Sequence, residues 1–169
     1  MRFVKLGLIS GVFLFMLMLA FSLLIPSSVA VSRVVDINAS ADSVYKMVND
    51  LSKWKLWLDN YDSSNASLTG ITVGKDAQLK LNNSTVTIVE ASRQSIKTVW
   101  QVSRSEPLSA YFNIISNQNP PLTTLQWQFN QQLKWYPWEK FAAIFSEKAL
   151  APSMEKSLDN LKKYLEQAK

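Results

Sequence analysis

Neither histidine nor cysteine occurs in this chain, so proton transfer would have to rest on carboxylates, lysine, tyrosine or arginine. Their absence removes the Ser-His-Asp triad, thiolate nucleophiles, and metal sites built on imidazole or sulfur. Asp36, Glu90 and Glu106 fall on or beside segments that read as strands, and Arg93 and Arg104 fall near turns. An inward-facing carboxylate beside a tyrosine would suit general acid–base chemistry. No spacing picks out such a pair, so no residue is assigned a catalytic role and no metal is expected. The glycines form neither a GxGxxG run nor a P-loop, so no cofactor is expected either.

The elements that would position these groups are legible from periodicity. Val29 to Asn38 alternates as a strand, with Arg33 out of step. Ser40 suits the N-cap of a helix carrying Val44, Met47, Val48 and Leu51 on one face, and Ser52 suits the cap of a second short helix holding Trp54 and Trp57. The spacing of those two tryptophans either staples the helix to a sheet or places them at the rim of a cavity. After a polar loop over 59–67, strands are predicted at Leu68–Val73, Ala77–Leu81, Thr85–Ala91, Ser95–Ser103, Ala110–Ser116 and Thr123–Asn130. Ile96, Thr98, Trp100 and Val102 share one strand face; Leu125, Trp127 and Phe129 share another. From Trp138 to Gln167 the period becomes helical, with Met154, Leu158, Leu161 and Leu165 in one stripe. Pro152 should kink or divide that helix, because it removes a backbone donor. Trp135-Tyr136-Pro137-Trp138 is either a hinge into the helix or an amphipathic patch suited to a membrane interface. A strand, two short helices, a meander of strands and a long helix make an α+β fold, one antiparallel sheet curled around the last helix.

Ahead of the first strand, Leu6 to Ile25 contains no charged residue. A helix of about twenty residues is roughly 30 Å long and spans a bilayer core. Arg2 and Lys5 precede it and no acidic residue occurs before Asp36, a bias that keeps the N-terminus cytoplasmic and carries the rest across. The run is longer than a typical signal-peptide core, which favours an uncleaved anchor over residues 1–28 and a folded domain over 29–169. Cleavage near Ala30, where Ser28-Val29-Ala30 reads as a small-x-small site, is the alternative. Without Arg2 and Lys5 the remaining chain holds 16 basic and 13 acidic residues, a net +3 with no dense basic stripe. Nucleic acid is therefore not an expected partner, and the membrane is.

The stretch Val34 to Leu58, VVDINASADSVYKMVNDLSKWKLWL, resembles the START-like (SRPBCC) superfamily, whose polyketide cyclase/dehydrase-like members are the nearest. The features that carry the likeness are Ile37-Asn38-Ala39 at a strand end, Val44-Tyr45 in a helix, Asp50, and Trp54 with Trp57. Gly70 and Gly74 and the Leu158-x-x-Leu161-Lys162 signature of the last helix extend it to roughly residues 29–167. The proline common after the first strand is missing here, and the middle strands match in pattern only. The resemblance implies a helix-grip fold, in which the C-terminal helix closes over the concave face of the sheet and often leaves a cavity. Trp100, Phe112, Ile114, Trp127 and Phe129 would line it from the strands, and Phe141, Phe145, Met154 and Leu158 from the helix. Large aromatics at alternate strand positions also fill cores.

Since this fold hosts many functions, the function has to come from the site. A membrane-tethered domain that binds a hydrophobic or lipid-like small molecule is the first reading. A cyclase/dehydratase-type enzyme and a ligand-free interaction domain are the alternatives. The absence of histidine and of any paired acid and base favours binding over catalysis.

Overall fold

A computed structural model describes residues 2–24, 27–103, 106–117, 122–133 and 136–167. Helix α1 (Arg2–Leu24) includes a 22-residue stretch, Phe3–Leu24, long and apolar enough to cross a membrane. Its large apolar side chains are exposed, whereas Ser22 near its end is buried.

Strand β1 (Ser28–Ile37) follows, then α2 (Ala41–Val48) and a 3-10 helix (Leu51–Leu56). Ser40 caps α2 as expected: it is extended (φ −68°, ψ 147°) and its Oγ accepts the Ser43 N–H at 3.2 Å. The next cap differs from expectation. Asp50 caps the 3-10 helix and accepts the Ser52 N–H at 3.1 Å, so Ser52 is the residue capped. Asp50 and Ser52 are both good capping residues, and the buried Leu51 between them sets the register.

The remaining strands are β2 (Ala66–Thr69), β3 (Gln78–Leu81), β4 (Ser84–Ala91), β5 (Ser95–Val102), β6 (Leu108–Asn117) and β7 (Leu122–Gln132). They join β1 in one antiparallel sheet of order β1-β7-β6-β5-β4-β3-β2. The strand expected over Leu68–Val73 stops at Thr69, because Gly70 turns the chain at φ +68°. In β4 the pairing skips Val89, a bulge that adds bend and twist.

Helix α3 (Pro137–Gln167) lies across the inner face of the sheet and runs through Pro152 without dividing. Met154, Leu158, Leu161 and Leu165 are buried, and they join Ile37, Ile88, Ile96, Phe112 and Leu125 in one core. Burying such side chains contributes roughly 1.5–3 kcal/mol each before the entropy of ordering is counted.

Polar links fix the helix along its length. Arg33, the residue out of step in β1, donates from Nε to Glu155 at 2.6 Å. Glu166 accepts the Asn38 N–H at 2.9 Å, which ties the end of α3 to the far end of β1. The opposite face of the sheet is polar: Ser95, Asn113, Gln126 and Ser32 form a side-chain hydrogen-bond chain across β5, β6, β7 and β1.

Register also fixes the direction of the molecule. Ser28 pairs with Gln132, and Leu133 N–H donates to Ser27 at 2.8 Å. The sheet end at which the chain arrives from α1 is therefore the end from which it leaves for α3.

Candidate functional site

Six rings occupy the middle of the space between sheet and helix. Phe112 stacks on Trp127 with centroids 5.0 Å apart, Trp54 meets Trp57 at 5.1 Å, and Trp100 meets Phe129 at 5.4 Å. Edge contacts of Trp57 with Phe112 at 6.3 Å and with Trp127 at 6.1 Å join the first two pairs, and Trp127 meets Phe129 at 5.3 Å to join the third. Such tilted and edge-on contacts suit the ring quadrupoles. Trp54 and Trp57 are 0% and 1% exposed, so they staple the 3-10 helix to the sheet and do not rim a mouth. Trp54 Nε1 donates to the Val48 carbonyl at 2.9 Å, and Trp100 Nε1 to Thr98 Oγ1 at 3.0 Å. Trp57 Nε1 and Trp127 Nε1 are buried with no hydrogen-bond partner among the described residues.

Beside this cluster lies a pocket of about 350 Å³. Trp100, Val102, Leu108, Trp127 and Phe129 wall it from β5, β6 and β7, and Leu150, Ser153 and Met154 wall it from α3. Two loops make its lips, Leu58-Asp59-Asn60 after the 3-10 helix and Leu81 to Ser84 around the β3–β4 turn. Each lip turns on an asparagine in the left-handed region, Asn60 at φ 59° and Asn82 at φ 48°. Asparagine tolerates that backbone and offers an amide at the entrance.

The lip at Asp59 is fastened to α3. The Asp59 carboxylate pairs with Lys156 Nζ at 2.8 Å and accepts from Asn60 Nδ2 at 3.0 Å. Its backbone N–H donates to Ser157 Oγ at 2.8 Å, and that hydroxyl donates to the Ser153 carbonyl at 2.7 Å. The hydrogen bond from Lys156 holds the Asp59 carboxyl below its ordinary 3.8, against a smaller opposing effect of burial. Asp59 is the one ionisable residue among the described lining residues, and it is committed to this ion pair.

Of the residues expected to line a cavity, Trp100, Trp127, Phe129 and Met154 line this pocket. Phe112, Ile114 and Leu158 are not in its wall and belong to the packed core beside it. The side chains of Phe141 and Phe145 lie outside the described residues. Leu58, Leu81, Leu108, Leu150 and Ser153 were missed, as were both asparagine lips. Alternation finds the faces of strands, whereas the lips are loops, and only the pairing of β3 with β4 beside α3 brings them to the pocket.

Solved structures share this fold. A START superfamily protein from Mycobacterium smegmatis matches with a TM-score of 0.59 at 16% identity, covering 83% of this chain and 99% of its own. A protein from Nitrosospira multiformis matches at 0.63 and 10% identity, over 81% and 96%. Norcoclaurine synthase from Thalictrum flavum, solved in complex with dopamine and hydroxybenzaldehyde, matches at 0.62 and 10% identity, over 84% and 88%. At these identities the likeness is one of fold. No curated protein matches the chain by sequence. The family model described as polyketide cyclase/dehydrase and lipid transport matches residues 28–166, from the first residue of β1 to the last turn of α3, and the chain belongs to that family.

Proposed function

We propose that this protein is a membrane-tethered binding domain that holds an apolar or amphipathic small molecule between the sheet and α3. The observation that carries the reading is the pocket of about 350 Å³, walled by apolar and aromatic side chains and lipped by asparagines. Its volume falls at the lower end of the roughly 300–1,000 Å³ usual for small-molecule sites. An apolar body would cover Trp100, Phe129 and Met154, while a polar end would meet the amides of Asn60, Asn82 and Asn83. Helix α1 is the tether in this reading, with the folded part on the extracytoplasmic side.

The alternative of a cyclase-type enzyme would need a group that exchanges a proton near neutral pH. Asp59 is a poor candidate, because its pairing with Lys156 keeps it ionised. Binding without covalent chemistry is the better-supported reading.

Trp100 and Trp127 line the pocket and would report occupancy. Titration with fatty acids, isoprenoids and polycyclic aromatics should give a saturable change in tryptophan fluorescence with at least one class. Native mass spectrometry of detergent-extracted protein should show a co-purified mass. Absence of both retires the binding reading.

A further inference from the structure

The pocket and the membrane helix lie at the same end of the sheet. Ser28, where the chain enters from α1, pairs with Gln132; Asn130 pairs with Ser109, Leu108 with Trp100, and Val102 with Ser84. These rows place the start of β6, the end of β5 and the β3–β4 turn at the end nearest α1. Phe129, in the pocket wall, is only three residues from Gln132, roughly 10 Å along the strand.

Helix α3 begins at this end too, and its first turn touches α1. Lys140, buried to 5% exposure, donates from Nζ to the Ser22 carbonyl at 3.0 Å. Ser22 lies at the C-terminal end of the Phe3–Leu24 stretch, at the level where a spanning helix leaves the hydrocarbon. Two residues before Lys140, Trp138 is 59% exposed and stacks on Tyr136 with centroids 4.9 Å apart and ring planes 7° apart. A large exposed indole is out of place in water. Beside the end of a spanning helix it is where tryptophan and tyrosine are favoured, with the ring among acyl carbonyls and the polar edge in water.

We infer that the Tyr136–Trp138 pair docks this end of the domain onto the lipid headgroup layer, so that the pocket end of the sheet faces the bilayer. The occupant of this surface is the bilayer that α1 crosses, and the inference rests on the reading of α1 as a tether. Leu150, on the pocket wall, is ten residues beyond Lys140, roughly 15 Å along the helix. A ligand that partitions into the membrane would therefore reach the pocket across a short distance without crossing bulk water.

The chain contains no cysteine, so single nitroxide labels can be placed cleanly. The full-length protein is reconstituted in nanodiscs of phosphatidylcholine and phosphatidylglycerol, and labels at Phe13→Cys, Trp138→Cys and Ile71→Cys are compared by power saturation. Ile71 is 56% exposed, a match for Trp138, and follows β2 at the opposite end of the sheet. The Phe13 label should collide with oxygen far more than with an aqueous nickel chelate, the Trp138 label moderately more, and the Ile71 label less. A Phe13 label in water would overturn the tether and the docking together. A buried Phe13 label with a Trp138 label as wet as that at Ile71 would overturn the docking alone. As a measurement that keeps the native residue, lipids brominated near the headgroup should quench the wild-type protein more than Trp138→Phe. Equal quenching would overturn the docking as well.

Discussion

The space between the sheet and α3 is solid at one level and hollow at another. Around Phe112, Trp54, Trp57 and Leu158 the side chains close on one another, with residues at 0–2% exposure and ring centroids 5–6.3 Å apart. Toward the end of the sheet nearest α1, walls of similar chemistry leave about 350 Å³ open. The two regions share strands β5, β6 and β7 and the same helix, so strand composition does not distinguish them. The boundary does: the solid region is roofed by the 3-10 helix with its two tryptophans, and the hollow one is edged by two loops that turn on asparagine. Stability is concentrated where a helix supplies the roof, and room for a ligand is left where loops do.

The sharpest test of the solid region is Leu158→Asp. It would bury a charge without a partner and cost about 5 kcal/mol, read as a lowered midpoint in urea denaturation. Lys162→Asp, on the more exposed side of the same helix, should stay within roughly 0.5 kcal/mol. Equal midpoints would mean that the wrong face of α3 has been assigned to the core.

Next in size is Phe112→Ala, which empties a site between Trp54, Trp57 and Trp127 and should cost roughly 3–5 kcal/mol. Leu108→Ala at the pocket wall should cost roughly 1 kcal/mol, because its side chain is only partly buried. If the two costs are alike, the contrast between solid and hollow is wrong.

A third variant fills the hollow. Leu150→Trp puts an indole toward the pocket, and stability should change by roughly 1 kcal/mol at most, below the usual penalty for overpacking a tight core. Any fluorescence-detected ligand should bind at least tenfold more weakly. Unchanged affinity would move the ligand to another surface.

The smallest effect concerns the lip. The Asp59 carboxyl is held below 3.8 mainly by Lys156, so its ionised form belongs to the folded state. Its contribution is complete above pH 3.8 and is lost as pH falls through the lowered folded value. The stability gap between wild type and Lys156→Met should therefore close below that pH. A gap that persists in acid would show that Lys156 acts by packing and not by charge.

Most of the fold was legible because strands and helices repeat. Strands β3 to β7 follow the two-residue alternation of residues such as Ile96, Thr98, Leu125 and Trp127, whereas β2 has no buried face and begins at Ala66, inside the expected loop; the α3 stripe follows the helical period. Errors gathered where a single residue decides. Asp50 and not Ser52 caps the 3-10 helix, and Gly70 ends β2 at Thr69. The site was half legible. Trp100, Trp127, Phe129 and Met154 lie on periodic faces and could be found, but periodicity cannot say at which level a face stops being packed. Phe112 and Trp127 face each other across β6 and β7 and read alike in sequence, yet Trp127 reaches the pocket and Phe112 does not.

The entry of the chain from α1 into β1 also has a mechanical side. β1 is an edge strand, and all ten of its residues, Ser28 to Ile37, are paired antiparallel with β7. A pull delivered through α1 acts at Ser28 and along the strand, while the hydrogen bonds to β7 lie across it. The whole ladder is then loaded in shear and must slip together, whereas a pull across the sheet would peel it open one bond at a time. With α1 held and the folded part dragged along β1, this edge strand would be strained in its strongest direction.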